Sequence, residues 1–379
     1  MPTHTTAHDR GALSLKALNR AFLDRQMLLR RRTLPAQDAI EHLVGLQAQA
    51  PTPPYYGLWT RLTDFRQDEL AALLTSREAV RIAMMRGTVH LVTARDCLRI
   101  RPWLQPFMER SLGTTFGKEL NGVDLAELAV ASRDLIEEEP RTTADLGKLL
   151  QERWPDRAPS TLVNAVRALL PLVQVPPRGI WGLGGQTTYA TAEKWLGAPL
   201  EPTATPEHQV LRYLAAFGPA SVKDVQAWSG LTRLRAVIER LRPDLVTFRD
   251  PSGAELFDLP DAPRPDPDTP APARYLAPYD NAILSHADRT RIISDEDRKA
   301  IATKNAVIPG TILLDGFVHG VWRVEQEGST ATLHVRPFRP VSAAQRAELE
   351  EEGERLLAFA ADSAGTRNVR LGSVRPIAR

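Results

Sequence analysis

The sequence predicts an α+β protein made of three tandem winged-helix modules followed by a β-meander with a terminal helix. Three observations lead there. Short amphipathic helices followed by a two-stranded hairpin recur along the chain. Two proline-rich stretches, 197–207 and 261–274, are too rigid and too polar to pack as elements and read as connectors. The last 105 residues abandon the recurring pattern for alternating strands. The expected boundaries are 1–105, 106–200, 201–262 and 263–379, and 379 residues exceed what one hydrophobic core ordinarily supports.

The segment 207–260 justifies the pattern most fully. "EHQVLRYLAAFG" reads as a helix closed by Gly218, and "SVKDVQAWSG" as a helix capped by Ser221 and closed by Gly230. "TRLRAVIERLRP" makes a third helix, and "LVTFRDPSGAELFDLP" alternates, turns at Pro251–Gly253 and alternates again. Residues 142–191 repeat the plan with "TTADLGKLLQERW", "APSTLVNAVRALLPL" and a wing punctuated by Gly and Pro. A third copy is expected at 13–93, with helices at "LSLKALNRAFLDRQMLL", "PAQDAIEHLVGLQAQ" and "YYGLWTRL" ahead of a hairpin turning near Arg86–Thr88. In the last segment, 310–338 reads as the meander and "SAAQRAELEEEGERLLAFAADS" as the terminal helix.

Apolar content of 43% and charged content of 25% are those of an ordinary globular protein. No run approaches the roughly 20 apolar residues of a membrane span, and "MPTHTTAHDRGALSL" lacks a signal-peptide pattern, so a cytoplasmic protein is expected. The single cysteine, Cys97, rules out an internal disulfide and a cysteine-rich zinc site and is expected to be a buried thiol. Net charge is only +2, but residues 1–100 hold 14 Lys+Arg against 9 Asp+Glu while 101–150 hold 6 against 9, so the first module carries the positive side. A lone winged helix most often belongs to a DNA-binding regulator. Tandem copies fit that reading less well, and three in one chain would curve around a duplex as a monomer. A non-enzymatic transcriptional regulator and a structural scaffold stand as the alternatives.

No Walker loop, GxGxxG, GxSxG or HExxH occurs. His286 and Asp288 in "SHADR" form a lone pair of the kind found more often in structural hydrogen bonds than in metal sites, and no metal or other cofactor is expected. What remains is "EHLVGLQAQAPTPPYYGLW" (41–59), where Gln47 and Gln49 flank one alanine as a helix meets prolines. In a helix those side chains point roughly 200° apart. If the helix unwinds at this point the period becomes 2, and both amides face one cavity as uncharged donors and acceptors suited to holding a water. The bland alternative is that they cap the helix end.

"LDRQMLLRRR", "LVGLQAQAPTPPYYGLWTRL", "RGTVHLVTARD", "YDNAILSHADRTRII" and "GTILLDGFVHGVWRV" together resemble the AlkZ-like winged-helix DNA glycosylases, in order, from about residue 13 to residue 360. The resemblance implies a C-shaped monomer that embraces double-stranded DNA and excises cationic N7-alkylguanine-type lesions. In some members it implies unhooking of interstrand cross-links as self-resistance to an alkylating natural product. The family's Gln-x-Gln motif falls on Gln47 and Gln49 as the catalytic pair, and Gln at the second position, where a related branch has Asp, places the chain with the cross-link-associated branch. A monofunctional enzyme is implied, one that leaves an abasic site and needs no lysine nucleophile.

Candidate DNA contacts are Arg30, Arg31 and Arg32, which lie along phosphates or form a solvated run, and Arg86 and His90, which approach the backbone or stabilise the hairpin. His286 holds a glutamine or a phosphate, or packs in the core, while Arg289, Arg291 and Arg323 match family blocks without a role readable from spacing. Tyr55 and Trp59 are expected in the core, with base stacking as the lesser alternative.

Overall fold

The computed structural model describes residues 9–201, 205–302 and 307–372; the start of the chain and the middle of the first proline-rich connector lie outside the described residues. Strand β1 (Asp9–Ala12) leads into α1 (Leu15–Arg25), whose N-terminus is capped by Ser14 Oγ accepting from the Ala17 N–H at 3.1 Å. Helix α2 (Ala36–His42) is followed by the two-residue strand β2 (Leu46–Gln47), then α3 (Pro53–Trp59), α4 (Gln67–Thr75) and the hairpin of β3 (Ala79–Ala83) and β4 (Val89–Thr93).

The expected helix through Gln49 is therefore corrected. It ends at His42 in a left-handed turn in which the Val44 N–H donates to Glu41 O at 3.0 Å and the Gly45 N–H to Ile40 O at 2.9 Å. Val44 occupies the left-handed position at φ 53°, which is costly for a β-branched residue. The prolines do not break this helix. Pro53 and Pro54 instead begin α3, where their missing N–H groups cost nothing.

Helices α5 (Ala94–Trp103), α6 (Gln105–Phe116) and α7 (Leu125–Glu138) lead to the short strand β5 (Arg141–Thr142), then to α8 (Thr143–Arg153) and α9 (Pro159–Leu169). The strands β6 (Leu172–Gln174) and β7 (Thr188–Thr191) and the short helix α10 (Ala192–Leu196) follow. The first two hairpins do not stand as separate wings: β3 pairs with β4 on one side and with β6 on the other, giving one six-stranded sheet in the order β2-β4-β3-β6-β7-β5. Joining them satisfies edge N–H and C=O groups that two isolated hairpins would leave to water.

The third unit follows its sequence pattern closely: α11 (Pro206–Phe217), α12 (Val222–Ser229), α13 (Arg235–Leu241) and the hairpin β8 (Val246–Arg249) with β9 (Glu255–Asp258). Its sheet takes β1 from the start of the chain, parallel to β8. The last segment comprises β10 (Arg274–Leu276), α14 (Asp295–Ile301), β11 (Gly310–Leu314), β12 (Phe317–Glu327), β13 (Thr330–Pro337), α15 (Ala343–Ala360) and β14 (Thr366–Leu371). Helix α15 is not terminal: it crosses over to place β14 parallel to β13 on the edge of a five-stranded sheet.

One apolar core runs through all these units, joining Phe22 and Val44 to Val80, Val92, Val173, Phe217, Trp228, Ile283 and Leu313. Helix α1 ties them with buried polar side chains. Asn19 Nδ2 donates to Arg291 O and Gly316 O, both at 2.8 Å, and Gln26 Nε2 donates to Ala216 O at 2.7 Å. Arg25 grips Asp258 with two bonds of 2.6 and 2.8 Å.

Candidate functional site

The turn at Val44–Gly45 swings the chain onto the free edge of β4, where Leu46 pairs with Leu91 and Gln47 with His90. Only glycine fits position 45. Its φ is +91°, and a Cβ there would stand 2.8 Å from Leu91 O. One bond later the ladder is modified. The Ala48 N–H donates to Val89 O at 2.7 Å, but Ala48 O accepts from Arg81 Nη2 at 2.9 Å instead of pairing back. The orphaned Val89 N–H is taken by Gln49 Oε1 at 2.7 Å. Gln49, though exposed, is therefore held by its carbonyl oxygen.

Gln47 is 7% exposed, and its Oε1 accepts from Arg86 Nη2 at 2.9 Å. Arg86, at φ 58° in the β3–β4 turn, also donates to Asn281 Oδ1 at 3.1 Å and to Trp228 O at 3.0 Å. No carboxylate pairs with it among the described residues, and burial with the nearby charge of Arg289 lowers its pKa to about 10, leaving it protonated at neutral pH. His90 Nδ1 meets Thr88 O at 2.9 Å, so that nitrogen carries the proton and bare Nε2 faces the guanidinium at 3.5 Å. Burial and then the Arg86 charge push the His90 pKa down to about 3, so it stays neutral. Asn281 closes the ring by donating to Gly45 O at 3.1 Å.

The two amides do not open into one cavity, in contrast to the expectation for an unwound helix end. Gln47 borders a crevice of about 10 Å³ with Gln26, Arg61, Asp280 and Asn281. Gln49 borders a separate concavity of about 280 Å³ with Asn164, Arg167, Gln174, Arg178 and Tyr189. The reason is that regular pairing stops at Gln47 and the chain bends through Ala50. The carboxylate that lines the Gln47 crevice, Asp280, is engaged by Arg61 through bonds of 2.7 and 2.8 Å. It is committed as an ion pair rather than poised as a base. No group of three or more His, Cys, Asp or Glu residues suited to a metal occurs among the described residues.

A family model described as "DNA glycosylase AlkZ-like" matches residues 40–359. That span covers well over half of the chain and contains both glutamines, the Arg86 turn and the Asn281 block. The chain belongs to the AlkZ-like family. Among similar proteins, an interstrand DNA cross-link repair glycosylase of Streptomyces sahachiroi is 24% identical over 352 residues, covering 83% of this chain and 88% of the relative. The solved structure of the Streptomyces sahachiroi DNA glycosylase AlkZ matches with a TM-score of 0.79 at 19% identity, covering 95% of this chain and all of that one. The α+β fold is thus shared with AlkZ.

Of the DNA contacts expected in this AlkZ-like chain, Arg86 lies against Gln47, while Arg30 is exposed and Arg32 is half-exposed and paired with Asp24 at 3.0 Å. Arg289 is half-buried with Nε 3.3 Å from His286 O, and Arg323 is exposed beside Glu325 at 3.5 Å. Two others, His90 and His286, are corrected, because their burial leaves no face for a phosphate; Arg291 is buried as well, with its guanidinium on protein acceptors at the edge of a concavity. His90 lies under the Arg86 turn. His286 Nε2 sits 2.9 Å from Phe217 O with its ring edge-on to Phe22, and Arg291 Nη1 donates to Pro219 O at 2.6 Å. Arg31 is spent on Glu352 at 2.7 Å and lies 4.6 Å above the Trp59 ring. Tyr55 and Trp59 are core residues as expected, and Cys97 is buried with its thiol pKa pushed up to about 12. Sequence reasoning missed Asn281, Asp280 and Arg61, although the quoted blocks "YDNAIL" and "LWTRL" contain all three.

Proposed function

We propose that this protein is a monofunctional DNA glycosylase that removes cationic N7-alkylguanine-type bases and unhooks interstrand cross-links built from them, with Gln47 and Gln49 as its catalytic pair. Alkylation at N7 already makes the purine a cation, so the base leaves as a neutral molecule when the C1′–N9 electron pair moves onto it. No general acid is required. Water attacks C1′ as positive charge builds on the deoxyribose, and its surplus proton passes to solvent. The barrier lies in placing that water and stabilising that sugar cation, a task for fixed dipoles.

The observation that carries this reading is the fixing of both carboxamides, Gln47 by the charged donor Arg86 and Gln49 by the main-chain N–H of Val89, with the carboxylate beside Gln47 already committed to Arg61. Gln49 is the exposed member and would meet the substrate first. Its Oε1 keeps a second lone pair for water after accepting from Val89. Gln47, clamped by Arg86, would orient its amide behind it. The curated relative's description as a cross-link repair glycosylase extends the reading to cross-linked duplex. Among the described residues no lysine lines either concavity, in keeping with hydrolysis rather than strand cleavage through a Schiff base.

We further infer that the three helix-and-hairpin units act as tandem winged-helix modules curving around the duplex as a C-shaped monomer in the cytoplasm. The test is chemical. Duplexes carrying N7-methylguanine or a bis-N7-guanine cross-link are incubated with the protein and then treated with alkali. Strand breaks at the lesion that disappear in Gln49→Ala are the expected result. Sequence-selective duplex binding with no breaks would make the protein a transcriptional regulator instead.

A further inference from the structure

The concavity beside Gln49 lies between α9 and the strand end that carries the glutamine pair. Helix α9 lines it with Asn164 and Arg167, three residues apart on one face, while Gln174 ends β6 and Arg178 follows in the loop. Its polar groups are incompletely satisfied: Gln174 Oε1 and Arg178 Nε are buried without a hydrogen-bond partner. Arg178 Nη1 donates to Gly185 O at 3.0 Å, and Arg167 Nη1 to Asn164 Oδ1 at 3.2 Å with its guanidinium 5.9 Å from the Tyr189 ring centroid.

Charge decides what such a site accepts. No Asp or Glu lines the concavity, and neither Arg167 nor Arg178 has a carboxylate partner among the described residues. Behind them Arg81, 2% exposed, spends one Nη2 bond on Ala48 O and leaves Nε and Nη1 unpartnered. Burial, and then the charge of Arg178, lowers the Arg81 pKa to about 10, which still leaves it cationic. Three guanidinium groups without a counter-charge repel a cationic alkylpurine and attract an anion. A volume of about 280 Å³ lies near the lower end of small-ligand pockets and has room for a phosphodiester with part of its sugar.

We propose that this concavity is a seat for a single backbone phosphodiester of the lesion-bearing strand, held by Arg167 and Arg178, which places the adjoining deoxyribose against Gln49. The lesion base itself lies outside it. The proposal rests on the glycosylase reading only for the word lesion; the anion seat stands on the site's own charge. Arg81 acts as a positioning residue, since its one hydrogen bond fixes the carbonyl immediately before Gln49.

Binding of the full-length protein to an undamaged duplex is measured by fluorescence anisotropy across a salt series for wild type, Arg167→Gln/Arg178→Gln and Arg167→Lys/Arg178→Lys. One phosphate's worth of counterion release makes the log K against log salt slope shallower by about 0.9 in the glutamine variant, with the lysine variant near wild type. The second arm scans wild type with neutral methylphosphonates placed one at a time in a duplex carrying a single N7-methylguanine made non-excisable by a 2′-fluoro substituent on its sugar. One position within two nucleotides of the lesion is expected to lower affinity about as much as the glutamine variant, with no further loss when the two are combined. An unchanged slope, a change near 1.8, or a scan with no sensitive position overturns the single seat. These measurements need no excision. A protein that never cleaves but shows the predicted slope and scan would sink the glycosylase reading while the seat survives, and the converse pattern would do the reverse.

Discussion

Arg86 Nη2 donates to Gln47 Oε1 at 2.9 Å, and among the described residues this guanidinium has no carboxylate to neutralise it. A buried cation is ordinarily paired, because desolvation makes an unpaired one costly. Here the neutral acceptors Gln47, Asn281 and the Trp228 carbonyl take that place, so one arginine joins the first hairpin, α12 and the segment before α14 around a single amide.

Arg86→Ala therefore frees Gln47 to rotate and leaves three acceptors unmet. The single-turnover excision rate is expected to fall by roughly 100-fold, the scale of losing one preorganised donor. Duplex affinity changes by much less. An equal loss in affinity and rate would show Arg86 to be a DNA contact rather than a positioning residue, and Arg86→Lys, which keeps the charge but loses the fork, should rescue only a small part of the rate.

Gln49→Ala has two separable costs. The Val89 N–H loses its acceptor, worth about 1 kcal/mol of stability by denaturant unfolding. Excision of N7-methylguanine drops by roughly 100-fold or more. Gln49→Glu keeps the acceptor and hence the stability. If Gln49→Ala lost its stability but retained full excision, the side chain would be a piece of sheet repair and nothing more.

The stopping point of α2 shows where sequence reasoning gives out. Residues 36–49 carry a helical pattern, and the prolines beyond it advertise a break; the actual break is set at Val44–Gly45 by a left-handed turn that a valine does not announce. Helices with Ser or Thr caps, such as α1, α8 and α12, were legible because their signals are local. Strands β1 and β14 were not, since "DRGA" and "TRNVRL" are polar edge strands recruited by parallel partners far away in sequence. The glutamine pair was visible through the family's motif. Arg167 and Arg178 had no motif to mark them, as only the folded sheet brings a helix face and a loop beside Gln49. His286, polar in sequence, vanished into an aromatic cluster with Phe22 and Phe217.

Acid should destabilise the protein before it affects chemistry. His90 and His286 are held near a pKa of about 3 by burial, against an ordinary 6.5. Below pH 6.5 the unfolded chain binds protons that the folded chain refuses, so the stability these histidines contribute is whole above 6.5 and is lost progressively down to about 3. Each removes about 1.4 kcal/mol per pH unit within that window. Urea midpoints measured from pH 8 to pH 5 should be flat above about 7 and fall below 6. His90→Asn should reduce the slope, and a midpoint that stays level to pH 5 would contradict the burial of both rings.

Gly45→Ala tests whether the left-handed turn sets the site. The substitution places a Cβ 2.8 Å from Leu91 O and 2.7 Å from Val92 Cγ1, at a φ of +91° that alanine tolerates poorly. Either β2 separates from β4 or the turn opens. Both displace Gln47, which lies two residues on, and both release the Asn281 bond to Gly45 O. The expected stability loss is about 1 to 3 kcal/mol. Excision should fall at least tenfold at a temperature where the variant remains folded, because a displacement near 1 Å of a positioning group is costly to rate. Normal excision by a folded Gly45→Ala protein would mean that the strand edge need not be held in register for the glutamines to work.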